Sequence, residues 1–99
     1  MWLSGKGIGA FIAERYDDVL EITRENIRDN PDLPTPYRQR AATLALLGRL
    51  DEAKVELERL NERLPNATIA QVERAVPISD PDAHGRWLNA LRTAGMPER

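Results

Sequence analysis

Thr35 to Pro65, TPYRQRAATLALLGRLDEAKVELERLNERLP, reads as one helical hairpin. Thr35 suits an N-cap, and Pro36 suits the first helical position, where no backbone donor is needed. Tyr37, Ala41, Leu44 and Ala45 recur at helical spacing on one face. Gly48 offers a C-cap that takes the left-handed conformation without a Cβ clash. A second helix begins near Asp51 and aligns Leu50, Ala53, Leu57, Leu60 and Leu64, and Pro65 ends it. Pattern is strong here and reactive side chains are scarce.

The hairpin has an echo. A shift of thirty-four positions superposes Arg15 on Arg49, Asp17 on Asp51 and Pro31 on Pro65. Tyr16 meets Leu50, Asp18 meets Glu52, Val19 meets Ala53 and Gly7 meets Ala41. Repeats of this length mark architectures stacked from helical pairs. The first unit would open with a helix over Trp2 to Ala13, weakened by Gly5, Gly7 and Gly9. A firmer helix follows over Arg15 to Asp29, with Tyr16, Val19, Leu20, Thr23 and Ile27 inward. Glu21 with Arg24 and Glu25 with Arg28 have the spacing of supporting ion pairs.

Beyond Pro65, Asn66 or Thr68 begins a short helix to about Val76, Thr68 and Gln71 having capping-box spacing. Asp80 and Pro81 start a last helix that Gly95 stops. Its apolar stripe is Trp87, Leu88 and Leu91. Another shift of thirty-four carries Ala53 onto Trp87 and Leu57 onto Leu91, so the tail reads as a degenerate capping hairpin. The expectation is one all-α domain over 1–99, about six helices in three antiparallel hairpins: 1–33, 34–67 and 68–99.

Composition narrows the function. The 99 residues carry a net charge of −2 and no cysteine, which excludes disulfides and thiolate metal sites. No basic patch of the kind nucleic acid requires is present. No apolar run approaches the roughly 20 residues of a membrane helix, and no secretory signal is recognisable, so a cytoplasmic protein is expected. Ser4 to Gly9, SGKGIG, lacks the spacing of a phosphate loop, and its glycines read as helix-packing positions. Asp80, Asp82 and His84 alternate rather than share a helical face, and one histidine without cysteine argues against zinc. His84 reads as a partly buried structural residue. Ser4 and Ser79 lie in no nucleophile motif. No catalytic, metal or cofactor site is expected.

The thirty-four-residue register, with small residues Gly7, Ala41 and Ala53, large residues Tyr16 and Leu50, and closing prolines Pro31 and Pro65, resembles the tetratricopeptide repeat. That resemblance implies an α-α superhelix that scaffolds proteins or binds peptides in a concave groove. Carried over by register, Ile8, Phe11, Arg38, Gln39, Ala42 and Ala45 would line the groove. Lys6 and Arg40 depart from the pattern, standing where the family has apolar residues, and are expected to snorkel. Thr68 to Gln71, Pro77 to Pro81 and Leu91 to Glu98 resemble the end of the C-terminal repeat segment of bacterial adenylate/guanylate cyclase-like proteins. This implies a non-catalytic regulatory segment, the metal-binding aspartates and nucleotide pocket of a cyclase having no counterpart here. The expected partner is a protein or peptide, or a second copy through the apolar first helix. The alternative is a small helix-turn-helix DNA-binding regulator using the last two helices; the long PISDPD connection and the lack of a basic cluster stand against it.

Overall fold

The computed structural model describes residues 9–75 and 80–98, and among these no strand occurs. A helical segment, residues 9–12, precedes five helices: α1 (Tyr16–Asp29), α2 (Thr35–Leu46), α3 (Leu50–Arg63), α4 (Ile69–Ala75) and α5 (Pro81–Ala94). The all-α class is as expected.

The thirty-four-residue echo is a repeat of backbone conformation. Helices α1 and α3 are each 14 residues long, and each opens after an arginine: Arg15 at φ −95°, ψ 69° and Arg49 at φ −94°, ψ 65°. The segment before each ends in the same cap. Glu14 takes φ 61° and Gly48 φ 79°. The Arg15 N–H donates to Ala10 O at 2.9 Å and the Arg49 N–H to Leu44 O at 2.8 Å. The Glu14 and Gly48 N–H groups donate to Phe11 O and Ala45 O at 3.0 and 3.1 Å. Such bonds satisfy carbonyls that a helix end leaves orphaned. The ion pairs recur as well, Arg15 with Asp18 and Arg49 with Glu52.

The register extends to the last helix in its buried face, Ala53, Glu56, Leu57 and Leu60 standing thirty-four residues before buried Trp87, Ala90, Leu91 and Ala94, but not in its bounds. α5 begins thirty-one residues after α3, not thirty-four, although it closes with the same cap: Gly95 at φ 115° and the Met96 N–H donating to Leu91 O at 3.0 Å. Its buried Ala83, Trp87, Leu88, Ala90, Leu91 and Ala94 make one stripe at helical spacing.

That stripe packs chiefly on α2, which also packs on α1 and α3. α2 is therefore enclosed, and nine of its residues, from Pro36 to Ala45, are buried. Ala41 and Ala53 are fully buried, as close helix crossing demands. Phe11, Val19, Tyr37, Leu44, Leu60, Ile69, Trp87 and Leu91 complete the core. Phe11 meets Trp87 edge-to-face, with ring centroids 5.1 Å apart.

Several local expectations need correction. Thr35 lies inside α2, whose N-cap is Pro34, and no side chain caps that end. Asp80 is the α5 N-cap by position, in extended conformation, but makes no capping hydrogen bond. Thr68, not Asn66, caps α4: its hydroxyl accepts from the Gln71 N–H at 3.2 Å. Asn66 instead takes a positive φ of 65° in the preceding turn. Arg28 pairs with Asp29 at 3.6 Å, not with Glu25. Leu50 is 39 % exposed rather than part of the inner face.

The C-terminal tail closes the fold by backbone bonds. The Ile69 and Ala70 N–H groups, orphan donors of the first turn of α4, donate to Pro97 O at 2.8 Å and Glu98 O at 3.0 Å. Met96 is buried beside them in sequence, and Arg92 Nε donates to Glu98 Oε2 at 2.7 Å.

Candidate functional site

The expected groove is filled. Phe11, Gln39 and Ala42 are fully buried, and Arg38 and Ala45 nearly so. The reason is α5: its stripe seats on α2 and leaves that helix no free concave face. Ile8 lies outside the described residues, as do Ser4 to Gly7. The expectation of an apolar first-helix face open to a second copy fails for Phe11, which packs on Trp87, and Ile12 packs against the core.

Arg38 is held among buried residues, where desolvation lowers its pKa; its Nε has no hydrogen-bond partner, and among the described residues no carboxylate pairs with it. Arg40 does not snorkel. Its Nη1 donates to Leu20 O at 3.0 Å and to the Thr23 hydroxyl at 3.3 Å, while its Nε pairs with Glu56 Oε2 at 3.3 Å. One guanidinium thus ties α2 to α1 and α3. Arg59 also reaches Glu56 Oε2, at 3.5 Å. Such partners offset the cost of taking these charges out of water. Tyr37 and Arg63 make a second lock: the Tyr37 hydroxyl and Arg63 Nε donate to Pro31 O at 2.8 and 2.6 Å, and the guanidinium carbon lies 4.3 Å from the tyrosine ring centroid.

The cations of α5 face inward or along the chain. Arg86 Nη1 donates to the Tyr16 hydroxyl at 2.7 Å and to Phe11 O at 3.4 Å, and Nη2 donates to Ile12 O at 3.3 Å. Arg92 is engaged by Glu98 and Asn89. A helix so committed presents little charge to a phosphate backbone.

Chemistry finds few footholds. Among the described residues no three His, Asp or Glu converge to hold a metal. His84 is half-buried, with its Nε2 4.0 Å from Glu73 Oε2. The exposed Arg49–Glu52 pair lowers the Glu52 pKa, through the hydrogen bond first, and raises that of Arg49. A groove of about 320 Å³ lined by Gly9, Ala10, Ala13, Arg15, Asp18 and Ile22 gathers one cation and one carboxylate already paired to each other. No described helix is long and apolar enough to cross a membrane.

What the described surface does offer is apolar. Leu46, Leu47 and Leu50 are 38, 41 and 39 % exposed around left-handed Gly48, at the corner between α2 and α3. The sequence reading overlooked this corner. The signal was present: Leu46 and Leu47 follow Leu44 and Ala45 without a polar break, more apolar side chains than one stripe can bury.

No family model, curated protein or solved structure matches the chain.

Proposed function

We propose that the chain is a non-catalytic protein-interaction module built from tetratricopeptide-like hairpins. Within that reading it is the C-terminal regulatory segment of a bacterial cytoplasmic multidomain regulator, of the adenylate/guanylate cyclase-like kind. The observation that carries the reading is the recurrence, thirty-four residues apart, of cap, arginine and 14-residue helix. An architecture made by repetition creates surfaces rather than an enclosed site, and such surfaces serve recognition. The exposed leucines between α2 and α3 support a protein partner, since apolar side chains grouped on a surface mark contact sites.

The test has two arms. The purified chain, given ATP or GTP with Mg²⁺ or Mn²⁺, is expected to form no cyclic nucleotide; turnover overturns the non-catalytic reading. A photo-cross-linker placed at Val55, exposed on α3, is used to recover a neighbour from the source cells. That neighbour, purified, is then titrated calorimetrically against the full chain. Saturable binding supports the module, and its absence overturns it.

A further inference from the structure

The repeat supplies an internal precedent for what the leucine corner binds. A shift of thirty-four carries Ile12, Ala13 and Tyr16 onto Leu46, Leu47 and Leu50. The two corners share the left-handed residue, the cap hydrogen bonds and the acidic first turn of the helix that follows, Asp17 and Asp18 in one and Asp51 and Glu52 in the other.

They differ in occupancy. Within this chain α5 reaches the backbone of the first corner through Arg86, while Ala13 stays exposed. Arg86 donates to Ile12 O and Phe11 O, and its guanidinium carbon lies 5.6 Å from the Phe11 ring centroid. A cation there answers the negative end of a helix and its orphan carbonyls. At the second corner the equivalent carbonyls are Leu46 O and Ala45 O. Among the described residues no hydrogen-bond donor reaches Leu46 O. Asp51 and Glu52 outnumber Arg49, which Glu52 already engages. The second corner is also more apolar, since Leu47 and Leu50 replace Ala13 and Tyr16. It therefore has the acceptors and charge sign of the first, a larger apolar area and, among the described residues, no arginine donating to Leu46 O.

Resting on the interaction-module reading, we infer that the Leu46–Leu47–Leu50 corner docks an amphipathic helix of a partner protein. That helix presents an arginine to the Leu46 and Ala45 carbonyls and apolar side chains to the three leucines. The arginine contact repeats between molecules what Arg86 does within one. A second copy is not the occupant, because its own α5 is already seated on α2 with Arg86 engaged by the Tyr16 hydroxyl.

The probe is a fluorescein-labelled, acetylated and amidated peptide, PDAHGRWLNALRTA, the sequence of α5, titrated into the intact chain and followed by anisotropy. Saturable binding is expected. Chain carrying Leu47→Glu with Leu50→Glu should bind about tenfold more weakly or less, from lost leucine burial. Peptide carrying Arg86→Gln, with Arg92 kept, should bind about fivefold more weakly. Melting curves check that the variant chain is folded; should the double variant unfold, the single Leu47→Gln replaces it. Absence of saturable binding overturns the inference. Equal binding to wild-type and variant chain also overturns it, by placing the peptide elsewhere. The partner recovered through Val55 separates the two readings: equal binding to wild-type and variant chain sinks the corner alone, leaving the module intact.

Discussion

Glu14 and Gly48, thirty-four residues apart, hold the same left-handed cap, at φ 61° and 79°. One residue has a Cβ that this conformation disfavours and the other has none. The repeat preserved the turn while the side chain that eases it changed. Glu14→Gly should therefore stabilise the fold by about 0.5–1 kcal/mol, relieving the first corner. Gly48→Ala should cost about 1 kcal/mol although nothing lies within 4 Å of the added Cβ, because the penalty is in the backbone. Urea titration of both variants checks the pair; opposite signs are expected.

Arg86 joins α5 to the first corner through the Tyr16 hydroxyl and two carbonyls. Arg86→Ala should destabilise by about 1.5–3 kcal/mol, the range for hydrogen bonds to a charged group. Tyr16→Phe removes one of those bonds and should cost about 0.5–1.5 kcal/mol. A double-mutant cycle in denaturant is the check, and additive losses would show that the two residues are not coupled.

Arg38 is a different kind of buried cation, because no carboxylate among the described residues pairs with it. Its desolvation is uncompensated by charge, so Arg38→Met, of similar length and without charge, should leave stability unchanged or raise it by about 1 kcal/mol. Arg40→Met is the contrast. It leaves Glu56 with the more distant Arg59, at 3.5 Å, and should cost up to about 3–5 kcal/mol, the range for breaking a buried pair. Thermal melts of the two variants should diverge in direction or size.

Ala53 is fully buried on α3, the helix that forms the second hairpin with α2. Ala53→Trp should overpack that crossing and cost about 1–3 kcal/mol or more. An unchanged melting temperature would mean the crossing has room that its burial denies.

The pH response of the exposed corner pair follows from its sign. Arg49 holds the Glu52 carboxyl below its usual range, so the pair's contribution is present above the unfolded-state carboxylate pKa and disappears as pH falls through the depressed folded value. Glu52→Gln should flatten that part of the acid limb. Melting temperatures of wild-type and variant chain from pH 7 down to pH 3 should converge at the acid end.

Much of this fold was legible in the sequence because its punctuation is local. Gly48 and Gly95 mark left-handed caps, Pro81 opens α5, and the echo of RYDDV in RLDEA marks two helices of one length. Glu14 hid its cap, since a glutamate gives no sign of a positive φ. The groove was misplaced because register assigns faces by assuming that each first helix keeps one side free. In a chain this short, α5 turns back over α2, a long-range event that periodicity does not encode. The same holds for Arg86, which bonds to a hydroxyl seventy positions away. Arg40 looked like a misplaced surface residue because its partners, Leu20 O, Thr23 and Glu56, come from two other helices.

We propose that this chain acts by binding another protein. Calorimetric titration of the partner captured through Val55, purified and added to the intact chain, tests it most directly. One saturable heat step is expected, weakened by Leu47→Glu with Leu50→Glu in a chain whose melting temperature is preserved. Absence of heat and of complex at concentrations well above cross-linking conditions would contradict it.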